Sequence, residues 1–277
     1  MDPRKMVFAF PSRSGRAGRL GAVSPPARHG APARLAGLPL VLAAGLALAS
    51  CGPAPVPQAI NDPREAANRE VHALNRSVDQ ALVRPISGLF GDGPPGPVSR
   101  GVSNFADNLD VPGDVVNGVL QGRIGPAAEN TLRFTLNSTI GLLGIFDVAG
   151  ALGVEGRSTD FGETLHVWGA GEGAYVELPL LGPSTERDVI GRAVDVVLNP
   201  MRFVLREPES TIATVAGVAS NFGDRSRYSN TIDSVLYDSA DSYAQSRLLY
   251  LQNRRFELGQ VASDDTFVDP YEDPYAE

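Results

Sequence analysis

Few side chains in this 277-residue sequence have the type and spacing for chemistry, and one stands apart: Cys51, the single cysteine. A lone thiol closes no intrachain disulfide, which leaves covalent modification as its distinctive chemistry. The other reactive groups are weakly arranged. Of the three histidines, His29 is near the amino terminus, His72 sits among helix-forming residues and His166 in a glycine-rich stretch. His72 and His166 lack cysteine partners and i, i+4 spacing, so no metal site is indicated. No G-x-S-x-G occurs and no Ser/His/Asp constellation is signalled. Gly169-Ala170-Gly171-Glu172-Gly173 invites a phosphate-loop reading, but the motif needs glycine where Ala174 stands. Residues 175–181 read as extended rather than helical, so that reading is rejected. Carboxylates are plentiful, and a solvated acidic face accounts for them. The chain is expected to be no enzyme and to need neither metal nor cofactor.

The segment that positions Cys51 gives the thiol its meaning. An apolar run over 35–49 follows Arg28 and Arg34 and closes on Leu48-Ala49-Ser50-Cys51. A basic stretch, an apolar stretch of this length and small residues before a processing point make a secretory signal. With Cys at the cleavage position, the tetrapeptide resembles the lipobox of bacterial lipoproteins. There the thiol receives a diacylglyceryl group and the freed amine a further acyl chain; an ordinary signal peptide with an incidental cysteine is the alternative. Two or more chains anchor a protein stably where one holds it only marginally. Gly52 follows in place of the Asp that resembles an inner-membrane retention signal, so outer-membrane delivery is expected. Residues 1–50 are read as leader and 51–60 as a Pro-rich tether. A single helical domain over 61–259 and an acidic, disordered tail over 260–277 complete the organisation.

The charge balance narrows the partners. The formal net charge is −8, and the leader holds seven of the 24 basic residues but one of the 32 acids. The remainder is therefore more acidic still, and every basic residue in it is arginine. Such a surface argues against nucleic acid, which demands a basic footprint, and against loose binding to anionic headgroups.

Hydrophobic periodicity supplies the elements. Asp62 suits an N-cap, Pro63 the first helical position and Glu65 the capping-box spacing. Ala67, Val71, Leu74, Val78 and Leu82 follow at helical period, and Pro85 is expected to end the helix. A glycine/proline loop spans 91–97. Helices are expected over 112–121 and 126–139, the second stopped by Gly141. Residues 142–152 are almost wholly apolar around Asp147; they read as a core helix, with a membrane-facing helix as the alternative. Residues 160–183 read as extended and turn-rich. Thr185 or Ser184 caps a helix to about Leu198, Pro200 breaks it, and helices over 209–219 and 230–258 follow. Nothing beyond residue 50 reaches the roughly 18 consecutive apolar residues of a spanning helix. The alternation of an outer-membrane barrel is also missing, so immersion in lipid would use amphipathic helices. The fold class is mainly α with one glycine-rich extended segment.

Four collinear stretches carry a resemblance. Asn61-Asp62-Pro63 is followed by Glu65, Asn68, Arg69, Asn75, Asp79, Arg84 and Pro85. Arg100-Gly101-Val102-Ser103-Asn104-Phe105 leads to Asn137-Ser138-Thr139-Ile140-Gly141 and Gly144-Ile145-Phe146-Asp147-Val148-Ala149. Asp160-Phe161-Gly162-Glu163-Thr164-Leu165 precedes Trp168-Gly169, Leu181-Gly182-Pro183-Ser184-Thr185 and Arg187-Asp188. Tyr243, Arg247, Tyr250, Gln252 and Arg254-Arg255 close the set. Together, over about 61–258, they resemble the MlaA/VacJ family of outer-membrane lipoproteins. Glu163, His166 and Ala174 depart from the pattern, which usually has Gln, Gly and Pro there.

The resemblance implies a helical, ring-shaped protein embedded by amphipathic helices in the inner leaflet of the outer membrane. It implies passage of phospholipids misplaced in the outer leaflet through an amphipathic channel to the periplasmic carrier MlaC. This retrograde route maintains lipid asymmetry, and a trimeric porin is the implied partner. A lipoprotein scaffold that only docks porins is the alternative. The 142–152 segment and the break over 198–208 are the expected lipid-facing or gating surfaces. Asn68, Arg69, Asn75, Arg84 and Asp147 are the candidates either to line a channel or to tie helices through orphan backbone groups.

Overall fold

The structure, a computed structural model, describes Pro57 and residues 60–91 and 96–260. Cys51, most of the tether and the tail beyond Gln260 lie outside the described residues. The fold is mainly α, and no described helix is long and apolar enough to cross a membrane.

The first helix, α1 (Glu65–Val78), starts later than the capping pattern predicts. Arg64 holds the cap position, and the Asp62 carboxylate turns inward to Asn68 Nδ2 at 2.9 Å, the Tyr243 hydroxyl and Arg247. A charge-assisted set of partners outweighs one exposed backbone N–H. Pro85 does not end the element either. A π-helical turn (Asp79–Val83) widens the backbone before it, and the helix resumes as α2 (Arg84–Ser87) with the proline near its start.

Helices α3 (Pro97–Leu120) and α4 (Ile124–Thr139) pack together across a short turn whose Gly122 has φ 73°. The sequence places the start of α3 at Pro112, but Pro97 is the better-placed helix starter, and Pro112 sits inside the helix at the loss of one hydrogen bond. Close approach is sequence-encoded here: a Cβ on Gly118 would lie 3.2 Å from the Ala127 Cβ.

The expected helix over 142–152 is not formed. Only α5 (Val148–Ala151) is helical, because Leu142, Leu143 and Gly144 take φ values of 52°, 61° and 94°. Consecutive left-handed residues cannot continue a right-handed helix. The turn is held by Leu143 N–H to Ser138 O at 3.1 Å and Gly144 N–H to Asn137 O at 2.7 Å. Gly144 is required, since an added Cβ would meet the Asn108 Cγ at 2.7 Å.

The glycine-rich region is not wholly extended, because Asp160 accepts from Glu163 N–H at 2.7 Å and starts α6 (Phe161–Val167). An antiparallel hairpin follows, β1 (Tyr175–Leu178) with β2 (Gly182–Thr185), in the register Tyr175 opposite Thr185. Thr185 then caps α7 (Glu186–Leu198) by accepting from Asp188 N–H, as its sequence position predicts. After α8 (Met201–Val204), α9 (Glu209–Arg227) runs past its expected end at 219, tied down by Ser220 to Ser103 and by Ser226 to Gly91 O at 2.6 Å. The expected helix over 230–258 is divided into α10 (Ser229–Asp233), a second π turn (Ser234–Asp238) and α11 (Ser242–Glu257). Asp241 causes the restart by accepting from Ala244 N–H at 3.1 Å.

Helix α3 packs against α4 and α9, α6 against α7, and the hairpin against α1 and α11. Helices α6 and α7 touch backbone to backbone, since a Cβ on Gly191 would lie 2.7 Å from Gly162 Cα. The buried apolar cluster is small: Tyr175, Tyr243, Tyr250 and Leu251.

Candidate functional site

The buried residues of this fold are mostly polar. Among the described residues, 23 polar or charged side chains are buried against nine hydrophobic ones, while 27 large hydrophobics are exposed. Asp, Glu and Arg are almost never buried in this way unless paired.

Pairing is what permits it. Asp188 accepts from the Tyr250 hydroxyl at 2.6 Å, Thr185 Oγ1 at 2.9 Å and Arg254 Nη2 at 3.0 Å. Arg254 also donates to Asp160 at 2.8 Å, joining α11 to α6 and α7. Burial pushes the Asp188 carboxyl up, but the charges of Arg254 and Arg187 outweigh it and hold the group at about 2. A second node is Glu163, which takes Arg123, Arg157 at 3.0 Å and Thr159 Oγ1 at 2.7 Å. A third is Asp79, held by both Arg225 nitrogens at 2.9 Å and by the Tyr237 hydroxyl at 2.8 Å. Arg255 grips Glu172 in the same bidentate way. Arginine's planar fork suits these pairs where lysine's point charge would not. Arg187 is the exception: its buried guanidinium makes no hydrogen bond among the described residues, and Asp188 meets its charge at 3.5 Å. Burial, then the Arg187 charge, push the His166 imidazole down, which leaves it neutral at pH 7. No group of three or more metal-ligating side chains gathers among the described residues.

The exposed hydrophobics are grouped. Leu142, Leu143, Ile145 and Phe146 project from the left-handed turn, and Val196, Val197, Phe203 and Val204 from the break between α7 and α8. Ile212 and Val215 share one face of α9. Single exposed hydrophobics are ordinary, but grouped ones mark surfaces covered by another body, protein or lipid.

The five polar candidates are distributed through the fold. Asn68 is buried and donates to Asp62 at 2.9 Å and to Tyr175 O at 3.2 Å, while accepting from Glu177 N–H at 3.0 Å. Asn75 donates to Glu177 and Leu178 O and accepts from Leu180 N–H at 2.7 Å, so both asparagines join α1 to the hairpin. Arg69 bridges Glu65 and Asp241 at the surface. Arg84 pairs with Asp233 at 2.8 Å and lies 4.9 Å over the Tyr237 ring. Asp147 caps α5 through Gly150 N–H at 3.0 Å and accepts from Asn137 and Arg133. Asn68→Ala is expected to cost about 2–3 kcal/mol in thermal unfolding, because Glu177 N–H and Tyr175 O lose a buried partner. Arg84→Ala, at a half-exposed pair, is expected to cost under about 1 kcal/mol.

The family model described as MlaA lipoprotein matches residues 60–257, nearly all of the described fold. The chain belongs to the MlaA lipoprotein family. It is 35% identical over 204 residues to the intermembrane phospholipid transport system lipoprotein MlaA of Shigella flexneri, covering 72% of this chain and 79% of that one. The protein of the same name from Escherichia coli is 33% identical over 203 residues, with the same two coverages. A chain solved in work on the structural basis for maintenance of bacterial outer-membrane lipid asymmetry superposes with a TM-score of 0.60 at 32% identity. That match covers 71% of this chain and 98% of the other.

Against the family pattern, two departures have local explanations. A carboxylate at Glu163 meets two arginines, and the Ala174 N–H donates to Glu186 Oε2 at 3.1 Å, a bond proline cannot make. The Asp188–Arg254 and Asp79–Arg225 pairings join elements of the fold, and periodicity does not reveal them. Their signal in the sequence was the arginine-only basic set beside an excess of acids.

Proposed function

We propose that this chain is the outer-membrane lipoprotein of an intermembrane phospholipid transport system. Lipid on Cys51 and the amphipathic helices seat a ring-shaped domain in the inner leaflet. Phospholipids misplaced in the outer leaflet descend through a polar-walled channel to the periplasmic carrier MlaC, and a trimeric porin holds the ring in place. The observation that supports this reading is the grouping of exposed hydrophobics over 142–146 and 196–204, which suits contact with hydrocarbon, where a bare headgroup would lose several kcal/mol. The printed names of the Shigella and Escherichia relatives support the same transport. No covalent step is required of the protein.

Depletion of the chain is expected to raise surface-exposed phospholipid, read by an outer-leaflet acyltransferase or a headgroup label. Reconstituted lipidated protein is expected to pass labelled phospholipid to purified MlaC. A protein inert in transfer that still co-purifies with a porin would make it a scaffold and sink the transport reading. Cys51→Ser is expected to shift the chain out of the outer-membrane fraction; unchanged placement and activity would mean the helices alone suffice.

A further inference from the structure

Two cavities meet at α1. One, of about 140 Å³, lies between α1, the hairpin, α9 and both π turns, with a wall largely of hydrocarbon from Val78, Val83, Leu180, Val218, Phe222 and Leu236. The other, of about 590 Å³, is a polar groove between α1 and the restart before α11, edged by Arg69, Ser77, Gln80, Asp241 and Ser242. His72 and Arg76 line both.

Arg76 is the unengaged cation at that seam. Arg69 is taken by Glu65 at 2.8 Å and Asp241 at 2.9 Å, Arg84 by Asp233, and Arg225 by Asp79 and Asp233. Arg76 has no carboxylate partner among the described residues; its guanidinium lies 5.3 Å over the Tyr237 ring. Glu65 and Asp241 together answer Arg69, so Arg76 is the guanidinium in the groove left for an anion from outside.

We propose that groove and cavity form one binding site for a single phospholipid, with Arg76 holding the phosphate and a segment of one acyl chain entering the apolar cavity. This rests on the transport reading and adds a place where the lipid pauses. The chemistry of each half fits. A guanidinium matches phosphate oxygens in bidentate fashion. An apolar cavity of about 150 Å³ stays dry and takes up hydrocarbon the size of benzene. The two π turns contribute Asp79, Val83 and Leu236 to the wall, Tyr237 ties one turn to the other through Asp79, and Arg225 of α9 holds the same carboxylate. Such turns widen a helix locally and recur at functional sites.

Inorganic phosphate shares the headgroup's chemistry, so the test carries both. The full-length lipoprotein is titrated with short-chain phosphatidylglycerol below its micelle concentration and, separately, with inorganic phosphate. Arg76→Gln is expected to weaken lipid binding about tenfold, the worth of one charge-assisted hydrogen bond. Val218→Phe, which fills the cavity, is expected to weaken it comparably, and phosphate is expected neither to bind nor to compete at equal concentration. Lipid binding unchanged in Arg76→Gln overturns the site; since Arg76 is exposed, that variant keeps its fold and decides the matter even if Val218→Phe does not. Phosphate binding as tight as the lipid's overturns it in favour of a free-anion site. Transfer to MlaC separates the two levels. Variants that bind and transfer like the parent remove this site and leave transport standing, whereas a parent that binds through Arg76 yet moves no lipid keeps the site and removes transport.

Discussion

Asp188→Ala is expected to destabilise the fold by about 3–5 kcal/mol, because it leaves the buried Arg187 guanidinium without its neighbouring anion and takes one of two buried carboxylates from Arg254. For a domain whose total stability is roughly 5–15 kcal/mol, that is a large fraction. Thermal unfolding of the purified chain reads the loss. Replacing the partners together, Asp188→Leu with Arg254→Met, is expected to cost less than the sum of the single changes, since the contact between the two is lost once rather than counted twice. Additive losses would show that the two groups are not coupled. The same node predicts acid sensitivity. The Asp188 carboxyl is held at about 2, below its ordinary 3.8. A depressed carboxylate contributes stability that is fully present above its unfolded value and lost as pH falls through its folded value. The difference is on the order of a few kcal/mol, lost between about pH 4 and pH 2. Asp188→Asn is expected to be less stable at neutral pH and to show a flatter acid limb. An acid limb as steep as the parent's would exclude Asp188 as its source.

The second large effect concerns the apolar exterior. Leu143→Glu with Phe146→Glu, both made in a Cys51→Ser background to remove the anchor, is expected to lower vesicle flotation on the order of a hundredfold. Each side chain withdrawn from hydrocarbon forfeits about 1.5–3 kcal/mol, and every 1.4 kcal/mol is about a factor of ten. Leu143 is 67% exposed and Phe146 58% exposed, so thermal unfolding in water should barely move. Flotation unaffected by the double change would place this turn outside the lipid. A Cys51→Ser chain that does not float at all would remove the embedding by helices.

How far the sequence reveals the fold depends on which rule was applied. Capping chemistry transferred well at Thr185, and the period over 126–139 located α4, because local hydrogen bonds and helix propensity are independent of the surroundings. Rules that equate apolar with interior failed. The run over 142–152 reads as core by composition, yet Leu142, Leu143, Ile145 and Phe146 are exposed on a left-handed turn that Asn108 and Ser138 hold in place. Asp147 looked like a lone charge in an apolar helix and is instead the cap of α5. Asp62 looked like a cap and is instead a buried partner of Tyr243 and Arg247, residues 181 and 185 positions away. Such separations leave no periodic trace. The candidates Asn68 and Asn75 were visible only through the family resemblance, and their attachment to the hairpin emerges from geometry alone.

The paired charges inside the fold also change how this chain can drift. In an ordinary domain, interior positions exchange one hydrophobic residue for another with modest loss, and exterior positions accept nearly anything. Here the interior tolerates little single exchange, because each carboxylate answers a particular arginine and half a pair is worse than none. Change inside must come in compensating pairs, Asp79 with Arg225 or Glu172 with Arg255. The exposed apolar groups over 142–146 and 196–204 are free in shape, so that Leu, Ile, Val and Phe can replace one another there with little effect on the fold.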